Sequence, residues 1–432
     1  MRKAVLATPT GLTWEQAGRL LTVLLALSFL LSLAFAWRTP FNHNPDEEAH
    51  RDYVRLLVEE RGFVKFIPRG EIPEGQPTRD EAHQPPLYYL LCAPLYAATG
   101  GNVFAMRLVA ALLQLATLWV VFRACRDLWP DRPDVAVGAT AFAAFLPTQA
   151  QLSGAINNDG LTILLCAALL WRLGALVRRG QDARGALIVG ALLGVGLLTK
   201  LSVLQLAPAM ALAYLVAVRA KHLTVGRAAT LFALALGLGL LIASPWLVRN
   251  TLLYGDPLTL SIYRQTGPNF SPQEIMGMAG WSMGDYLRAV GTRSFASFWY
   301  FIDPGLPVQP MSRFVGPALP MVVALLVAAV GLTGLYLRGR SVDVAADERR
   351  VNGFYVAAVL LMIPFFLRFV LTVFQAQGRY FLPVLLPVAV LTTLGWAFAA
   401  GRDRRGLWPV LVVPAILLVL ALFQWMSGGY FA

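Results

Sequence analysis

Charged residues, histidines and cysteines are all scarce in this sequence. Charged residues make up 14% of the 432 residues and hydrophobic residues 57%, with four histidines and three cysteines. One soluble core cannot hold so large an apolar fraction, so lipid is the solvent for most of the chain. The cysteines stand singly in apolar stretches, and their spacing indicates neither a disulfide framework nor a thiolate metal site. No soluble domain of ordinary size is left over.

Apolar runs recur along the whole chain. A spanning helix needs roughly 20 apolar residues, and we therefore predict one all-α, polytopic transmembrane domain over residues 1–432 with about eleven spans. The first run ends in an A-x-A pattern, but it is longer than the apolar part of a typical signal peptide, so we interpret it as a retained helix. Thr13 and Gln16 predict a capping box at its start. The runs are 20–37, 104–122, 135–152, 161–177, 186–198, 203–218, 228–247, 314–337, 354–374, 381–400 and 407–426.

Lysine and arginine gather in every second short loop. By the positive-inside rule those loops are cytoplasmic, which places the N-terminus in the cytoplasm and segments 38–101 and 249–313 outside it. We expect the plasma membrane as the location. The net charge of +12 is explained by the orientation of the chain in the membrane and by attraction to anionic lipid. No nucleic-acid partner is needed to explain it.

Two apolar stretches have the wrong length for a single span. Residues 85–98 are too short to cross and are fenced by prolines and glycines, so we predict a juxtamembrane helix at the outer interface. Residues 185–218 are too long for one helix, since at 1.5 Å per residue they would reach about 50 Å. We predict two helices joined by a tight outer turn at Lys200, which either anchors at the interface or meets an anion.

The first outer segment opens with two acids, Asp46 and Glu47. A structural interpretation accounts for them: Asn44 is a favoured N-cap, Pro45 suits the first helical position, and acids suit the helix dipole. Glu47 could also pair with Arg51 one turn later.

Other predicted outer turns also present polar residues, which a purely structural loop does not need. Asp159 lies between two apolar runs, and Lys200 lies in the tight turn. Arg249 follows the end of a predicted span, and Arg379 lies between two further predicted spans. Ionisable groups at membrane depth are costly and indicate function. We therefore expect these side chains and Asp46 to converge on one face of the membrane.

At these positions the sequence resembles the C-type glycosyltransferases, in particular the bacterial and archaeal branch of the protein O-mannosyltransferase and lipid A aminoarabinose transferase group. The resemblance covers most of the chain. Each matching piece is weak alone, but their common order at matching topological positions is fairly specific. The pieces are Pro45-Asp46-Glu47, His83-Gln84-Pro85-Pro86-Leu87-Tyr88-Tyr89, Asn157-Asn158-Asp159, Gly196-Leu197-Leu198-Thr199-Lys200, Pro245-Trp246 with Arg249-Asn250 and Tyr254-Gly255-Asp256-Pro257, and Gly378-Arg379-Tyr380.

The resemblance implies a sugar donor carried on a polyprenyl or dolichyl phosphate and an acceptor outside the cytoplasm. It assigns Asp46 as the base for the acceptor hydroxyl, with Glu47 positioning Asp46 or the acceptor. Asp159 resembles the second acidic position and is expected to contact a sugar hydroxyl. Cations must stabilise the negative charge on the leaving phosphate, and the candidates are Lys200, Arg249 and Arg379. Further substrate contacts are expected from His50, His83, Tyr88, Asn158 and Tyr380.

The donor type has independent support from what the chain lacks. It has no glycine-rich strand-to-helix fingerprint and no soluble domain to hold a nucleotide sugar. A helix N-terminus beneath Asp46 would lower the pKa of that acid and weaken it as a base. The only cofactor considered is a divalent metal ion, which stays open because no H-E-x-x-H motif occurs. The candidate oxygen and nitrogen ligands for such an ion are His43, Asp46, Glu47, His50, Asp80, Glu81 and His83.

Three other kinds of protein compete with a transferase. A transporter or flippase should bind near the bilayer midplane through broken helices in repeated halves, and we find no such repeat. A membrane scaffold does not explain polar groups gathered at one face. A glycan polymerase would use the same lipid-phosphate leaving group and stays open. The sugar, the acceptor and the stereochemical outcome also stay open.

Overall fold

The computed structural model of the protein describes residues 11–263, 265, 270–299, 318–341, 344–401, 412–419 and 422. Within these ranges the regular structure is helical and no strand occurs, which confirms the predicted all-α class. Short 3-10 helices cover Arg69–Glu71, Asp80–His83, Leu201–Leu206 and Gly378–Val384. The α-helices are α1 (Trp14–Arg38), α2 (Glu47–Glu59), α3 (Leu87–Thr99), α4 (Val103–Leu128), α5 (Pro133–Phe145), α6 (Pro147–Leu152), α7 (Asp159–Arg179), α8 (Ala183–Leu197), α9 (Ala207–Arg219), α10 (Val225–Tyr254), α11 (Leu260–Tyr263), α12 (Pro272–Ala279), α13 (Met283–Trp299), α14 (Ala318–Gly339), α15 (Ala346–Val370) and α16 (Leu385–Ala399).

The first helix begins where its capping signal predicts. Thr13 Oγ1 accepts a hydrogen bond from the backbone N–H of Gln16, and the Gln16 side chain accepts one from the backbone N–H of Thr13. Two of the N–H groups that every helix start leaves unpaired are thereby satisfied. The capping box is confirmed.

Eight helical stretches in the described ranges are long and apolar enough to cross a membrane. The chain is therefore a multi-pass membrane protein, while the count of eleven spans stays a prediction. Of the last predicted run, 407–426, the structure describes only residues 412–419 and 422. Residues 264, 266–269 and 300–313 of the second outer segment also lie outside the described residues. The stretches are Trp14–Arg38, Val103–Leu128, Asp159–Arg179, Leu201–Arg219, Val225–Tyr254, Met321–Gly339, Ala346–Val370 and Gly378–Ala399.

The predicted run 135–152 is two helices rather than one. Leu146 is extended (φ −60°, ψ 117°), and Pro147 opens α6 at a position where its missing N–H costs nothing. Every residue of α5 is buried, so this helix lies inside the bundle instead of facing lipid. A continuous apolar run cannot distinguish these two situations, because both favour the same side chains.

Close helix packing depends on glycines at helix contacts. A Cβ on Gly190 of α8 would lie 2.5 Å from the Ala235 carbonyl oxygen of α10, and one on Gly194 would lie 2.7 Å from that of Gly239. Helices in lipid associate through such close backbone approach, since no hydrophobic effect drives them together. The α8 and α10 axes can therefore approach closely along this stripe.

Helix α7 occupies a central position and connects the two ends of the bundle. It packs against α4, α8, α9 and α15. Its first residue is Asp159 and its last is Arg179, so at 1.5 Å per residue these two lie about 30 Å apart. Whatever Asp159 contacts is thus far from the arginines at the other end.

The first outer segment folds onto the bundle as a small apolar cluster. Tyr53 and Leu57 of α2, Tyr89 of α3 and Met106 of α4 are buried together. The ring centroids of Tyr53 and Tyr89 stack at 3.9 Å. This cluster fixes the start of α2, where Asp46 and Glu47 lie.

Candidate active site

Asp46 stands immediately before α2 in an unusual backbone conformation. Its φ of 58° and ψ of 15° are left-handed, a region that Asp tolerates better than most residues. It takes the N-cap position, but its side chain makes no capping hydrogen bond. The expectation that Asn44 is the N-cap and Pro45 the first helical residue is therefore wrong. Because Asp46 does not cap its own helix, its carboxylate is available to partners from elsewhere in the chain.

Four of the predicted site residues form one continuous line of alternating charge, which we call the charge row. Asp46 Oδ2 lies 2.8 Å from Arg379 Nη2, and Arg379 Nη1 lies 3.5 Å from Asp159 Oδ2. Asp159 Oδ1 accepts a hydrogen bond of 2.6 Å from Lys200 Nζ. The row joins the first outer segment, the start of α7, the turn before 3-10 helix Leu201–Leu206, and 3-10 helix Gly378–Val384. The tertiary fold thus brings together residues up to 333 positions apart.

The charge row is buried except at Asp46. The side chains of Arg379, Asp159 and Lys200 are 7%, 13% and 18% exposed, whereas that of Asp46 is 51% exposed. Burial by itself would raise the pKa of Asp46, but the positive charge of Arg379 outweighs it and holds that pKa below its usual range. Asp46 is therefore an ionised carboxylate at neutral pH, with one open side.

Glu47 has a different environment, which we call the Glu47–Arg107 anchor. Its carboxylate is fully buried and accepts two hydrogen bonds of 2.7 Å from the Arg107 guanidinium. It also accepts from the backbone N–H groups of Ile156 at 3.1 Å and Asn42 at 3.2 Å. The expected pair with Arg51 is absent, because Arg51 instead donates to a backbone carbonyl. Glu47 ties the first outer segment to α4 and to the loop before α7.

Arg249 lies apart from the charge row. Its Nη2 donates to the Val64 carbonyl at 2.7 Å, and its guanidinium lies 4.4 Å from the ring centroid of Trp246. Among the described residues it forms no ion pair, so its positive charge is uncompensated. It contributes to the electrostatics of Tyr53, which places it beside the aromatic cluster of α2 and α3.

A second carboxyl group, Glu81, approaches the site from 3-10 helix Asp80–His83. Its Oε2 lies 3.8 Å from His50 Nδ1, and it is buried without a hydrogen-bond partner. His50 Nδ1 lies 2.9 Å from the Tyr89 hydroxyl. Burial raises the pKa of Glu81, and the negative charge of Asp46 raises it further. Burial lowers the pKa of His50. The sequence had suggested Glu81 only as one of several metal ligands; its position just before His83-Gln84-Pro85-Pro86 was the available signal.

Three of the remaining predicted contacts are His83, Asn158 and Tyr88, and all three are buried. His83 Nδ1 lies 2.7 Å from the Asp80 carbonyl oxygen, and burial lowers the pKa of His83 to about 4. Asn158 Nδ2 lies 3.4 Å from Gln84 Oε1, and Tyr88 is fully buried.

Tyr380 follows Arg379 directly and supports it. The Arg379 guanidinium lies 5.4 Å from the Tyr380 ring centroid, and the Tyr380 hydroxyl donates to Gln375 Oε1 at 3.2 Å. The Nε atom of Arg379 is buried without a partner. The guanidinium therefore keeps an unused donor inside the protein.

The possible metal ion finds no preformed group of ligands. In the part of the chain that the structure describes, no three or more His, Cys, Asp or Glu side chains lie close enough together to hold a metal.

Comparison with known proteins gives one sequence match and several structural ones. Residues 83–248 match the sequence model of the family described as dolichyl-phosphate-mannose-protein mannosyltransferase. This range contains Asp159, Lys200, Arg107 and the segment from His83 to Tyr89. No curated protein matches the chain in sequence.

Two solved structures share the fold. The Archaeoglobus fulgidus oligosaccharyltransferase, solved with zinc and sulfate, aligns at a TM-score of 0.50 and 13% identity over 93% of this chain and 53% of its own. The arabinofuranosyltransferase AftD from mycobacteria aligns at a TM-score of 0.53 and 20% identity over 95% of this chain and 26% of its own. This chain thus spans about half and about a quarter of those proteins. ArnT from Cupriavidus metallidurans, bound to undecaprenyl phosphate, aligns at 0.43 and 17% identity over 92% and 78% of the two chains.

Proposed function

We propose a glycosyltransferase function for this chain, a membrane protein with the C-type glycosyltransferase fold whose residues 83–248 match the dolichyl-phosphate-mannose-protein mannosyltransferase family. In the proposed reaction a sugar passes from a polyprenyl phosphate to an acceptor hydroxyl outside the cytoplasm. The observation that carries the proposal is the charge row, in which the half-exposed Asp46 and two buried cations meet at one end of α7.

Each member of the row has a chemical task. The acceptor oxygen attacks the anomeric carbon and forms a new C–O bond while Asp46 takes its proton. The bond between the anomeric carbon and the phosphate oxygen breaks, and its electron pair leaves with the lipid phosphate. Arg379 and Lys200 stabilise that charge, because fixed cations in a poorly solvated site act strongly on a developing anion. Asp159 holds both cations in place between reactions.

Arg379 couples donor binding to the strength of the base. Its guanidinium is the nearest positive charge to Asp46 and keeps the pKa of that acid low. A bound phosphate would share this guanidinium, so Asp46 would lose part of its stabilisation and become a better base. Asp46 is thus a weaker base while Arg379 pairs with it alone, and a bound donor would raise its pKa.

Arg249, near the end of α10, and Glu81, in the first outer segment, complete the proposed site. Arg249 offers an uncompensated charge near Tyr53, where it would attract a phosphate approaching from the lipid. Burial raises the pKa of Glu81, and in its protonated form Glu81 can donate a hydrogen bond to a sugar hydroxyl. We place the acceptor on the open side of Asp46.

The orientation can be tested separately from the chemistry. We propose that the charge row faces away from the cytoplasm, since the arginine-rich loops lie at the other helix ends. A cysteine at Gly75 should react with an impermeant thiol reagent in intact cells, and one at Gln181 should react only after lysis. Labelling of Gly75 only after lysis would overturn the orientation and the extracytoplasmic site.

The decisive experiment is an assay of the purified protein with a panel of polyprenyl-phosphate sugars. We expect transfer or slow hydrolysis with at least one donor, and none with nucleotide sugars. The matched control is Asp46→Asn, which keeps the shape but removes the base. Processive products would favour the polymerase alternative, and donor translocation without cleavage would favour the flippase. Equal turnover by Asp46→Asn would refute the proposed base.

A further inference from the structure

A polar cavity lies at the end of α7 opposite Asp159. It has a volume of about 430 Å³, within the range of roughly 300–1,000 Å³ that small-molecule sites occupy. Four of its lining side chains are basic or can become so: Arg172, Arg179, His222 and Arg227. We call it the basic pocket. It is formed by the ends of α7 and α10 and by the turns on either side of them.

The cations of the basic pocket are only partly neutralised. Arg179 pairs with Asp127 at 2.8 Å, whereas Arg172 and Arg227 form no ion pair within the described residues. Asp182 also lines the cavity, but its Oδ1 accepts a hydrogen bond of 2.8 Å from the backbone N–H of Gly185 and caps α8. The pocket therefore keeps an excess of positive charge.

Three lining side chains also carry buried polar atoms that lack a hydrogen-bond partner. Two of these atoms, Arg172 Nε and His222 Nε2, belong to basic side chains, and the third is the carbonyl oxygen of the Gln181 side chain. Buried polar groups are normally paired, so each unpaired one calls for a partner that the chain itself does not supply. Guanidinium and imidazole groups together suit an oxyanion, and arginine matches phosphate geometry especially well.

The position of the pocket indicates whether a lipid or a soluble molecule supplies that oxyanion. Part of its wall is formed by the ends of α7 and α10, two helices long and apolar enough to cross a membrane. Basic pockets between the ends of such helices bind acidic lipid headgroups. The basic pocket lies about 30 Å from the charge row along α7, so it cannot hold the donor phosphate during transfer. We propose that the basic pocket binds a phosphate group, supplied by an anionic lipid of that leaflet rather than by a soluble phosphate.

The test measures lipid binding to the full-length protein purified in neutral detergent, by native mass spectrometry and by thermal unfolding. Phosphatidylglycerol should bind and raise the unfolding temperature, because a ligand of the folded state stabilises it. Phosphatidylcholine and inorganic phosphate should do neither at the same concentration. The pair of substitutions Arg172→Gln and Arg227→Gln should weaken phosphatidylglycerol binding about tenfold or more, as expected for lost charged hydrogen bonds.

The matched control removes the same charge from neighbouring exposed positions. Arg184→Gln with Arg219→Gln changes two arginines outside the pocket and should leave binding within about twofold. If both pairs weaken binding equally, the surface charge alone attracts lipid and the pocket is refuted. If inorganic phosphate binds and loses affinity only in the pocket variants, the phosphate site stands and the lipid source is wrong.

Folding and transfer give two further checks. Arg227 is exposed, so Arg227→Gln alone should fold normally and still weaken lipid binding if Arg172→Gln proves unstable. Transfer by these variants in detergent should stay near wild type because the charge row is distant. A failure of this proposal therefore leaves the proposed glycosyltransferase function untouched.

Discussion

Asp46 and Glu47 are neighbours in the chain but belong to opposite electrostatic environments. Glu47 is fully buried and has four hydrogen bonds, two from Arg107 and two from backbone N–H groups. Asp46 has one guanidinium partner and remains half exposed. A carboxylate whose acceptor sites are filled from several directions stabilises the fold, and one with an open side can exchange partners. We therefore expect the Glu47–Arg107 anchor to stabilise the fold, and we propose the chemical role for the charge row.

The anchor also explains why the charge row is well placed. Arg107 donates to the carbonyl oxygens of Ala36 at 2.8 Å and Thr39 at 2.7 Å as well as to Glu47. One buried arginine thus fixes the end of α1, the start of α2 and the side of α4. These contacts of Arg107 also fix the position of Asp46, which precedes Glu47 in the chain.

The largest expected effect separates the two acids by activity. Asp46→Asn should reduce transfer by about 10²- to 10⁴-fold, the usual contribution of a positioned base, and leave the protein folded. The measurement is single-turnover transfer with a confirmed donor, together with thermal unfolding. Most of the wild-type rate in a folded variant would mean that another group takes the proton.

The second prediction concerns stability. Glu47→Gln should destabilise the protein by about 3–5 kcal/mol, because it leaves the buried Arg107 charge without its partner. Glu48→Gln is the matched control, since Glu48 is exposed and its loss should change stability by about 0.5 kcal/mol or less. Unfolding in detergent, followed by circular dichroism, measures both. Equal stability of the two variants would contradict the structural role of the anchor.

A smaller effect is expected for substitution of Lys200 or Arg379, the cations that we propose bind the donor phosphate. Lys200→Ala or Arg379→Gln should weaken binding of polyprenyl phosphate by about one to two decades, or roughly 1.5–3 kcal/mol. Arg249→Gln should cost less, because Arg249 lies outside the row. Lys65→Gln, which changes an exposed cation of the first outer segment, serves as control. If the lipid phosphate binds all three site variants as it binds wild type, the phosphate site lies elsewhere.

The smallest effect is a pH dependence of stability caused by Glu81. Burial raises the pKa of Glu81 in the folded state, whereas an unfolded glutamate has a pKa of about 4.3. Its contribution is therefore fully present below the unfolded pKa and is lost as the pH rises through the folded one. Wild-type unfolding temperature should fall over that window, and Glu81→Gln should flatten the curve. An unchanged slope in the variant would show that Glu81 ionises freely.

Much of the site was predictable from sequence because polar residues in apolar surroundings are conspicuous. Asp46, Asp159, Lys200 and Arg379 were each recognised as ionisable groups beside membrane spans, and the structure brings all four into one row. Their proposed roles still await the measurements above. Glu81 was undervalued because it lies in a polar segment, where one more acid carries no signal.

The sequence by itself determined the class of the protein, since apolar run length and charge distribution depend only on the chain and the bilayer. It also determined local features such as the capping box at Thr13. The tertiary structure decided which acid is saturated and which is open, because Arg107 lies 60 residues from Glu47 and Arg379 lies 333 from Asp46. Burial and hydrogen-bond saturation depend on what the rest of the fold brings to a side chain, and no local pattern encodes that.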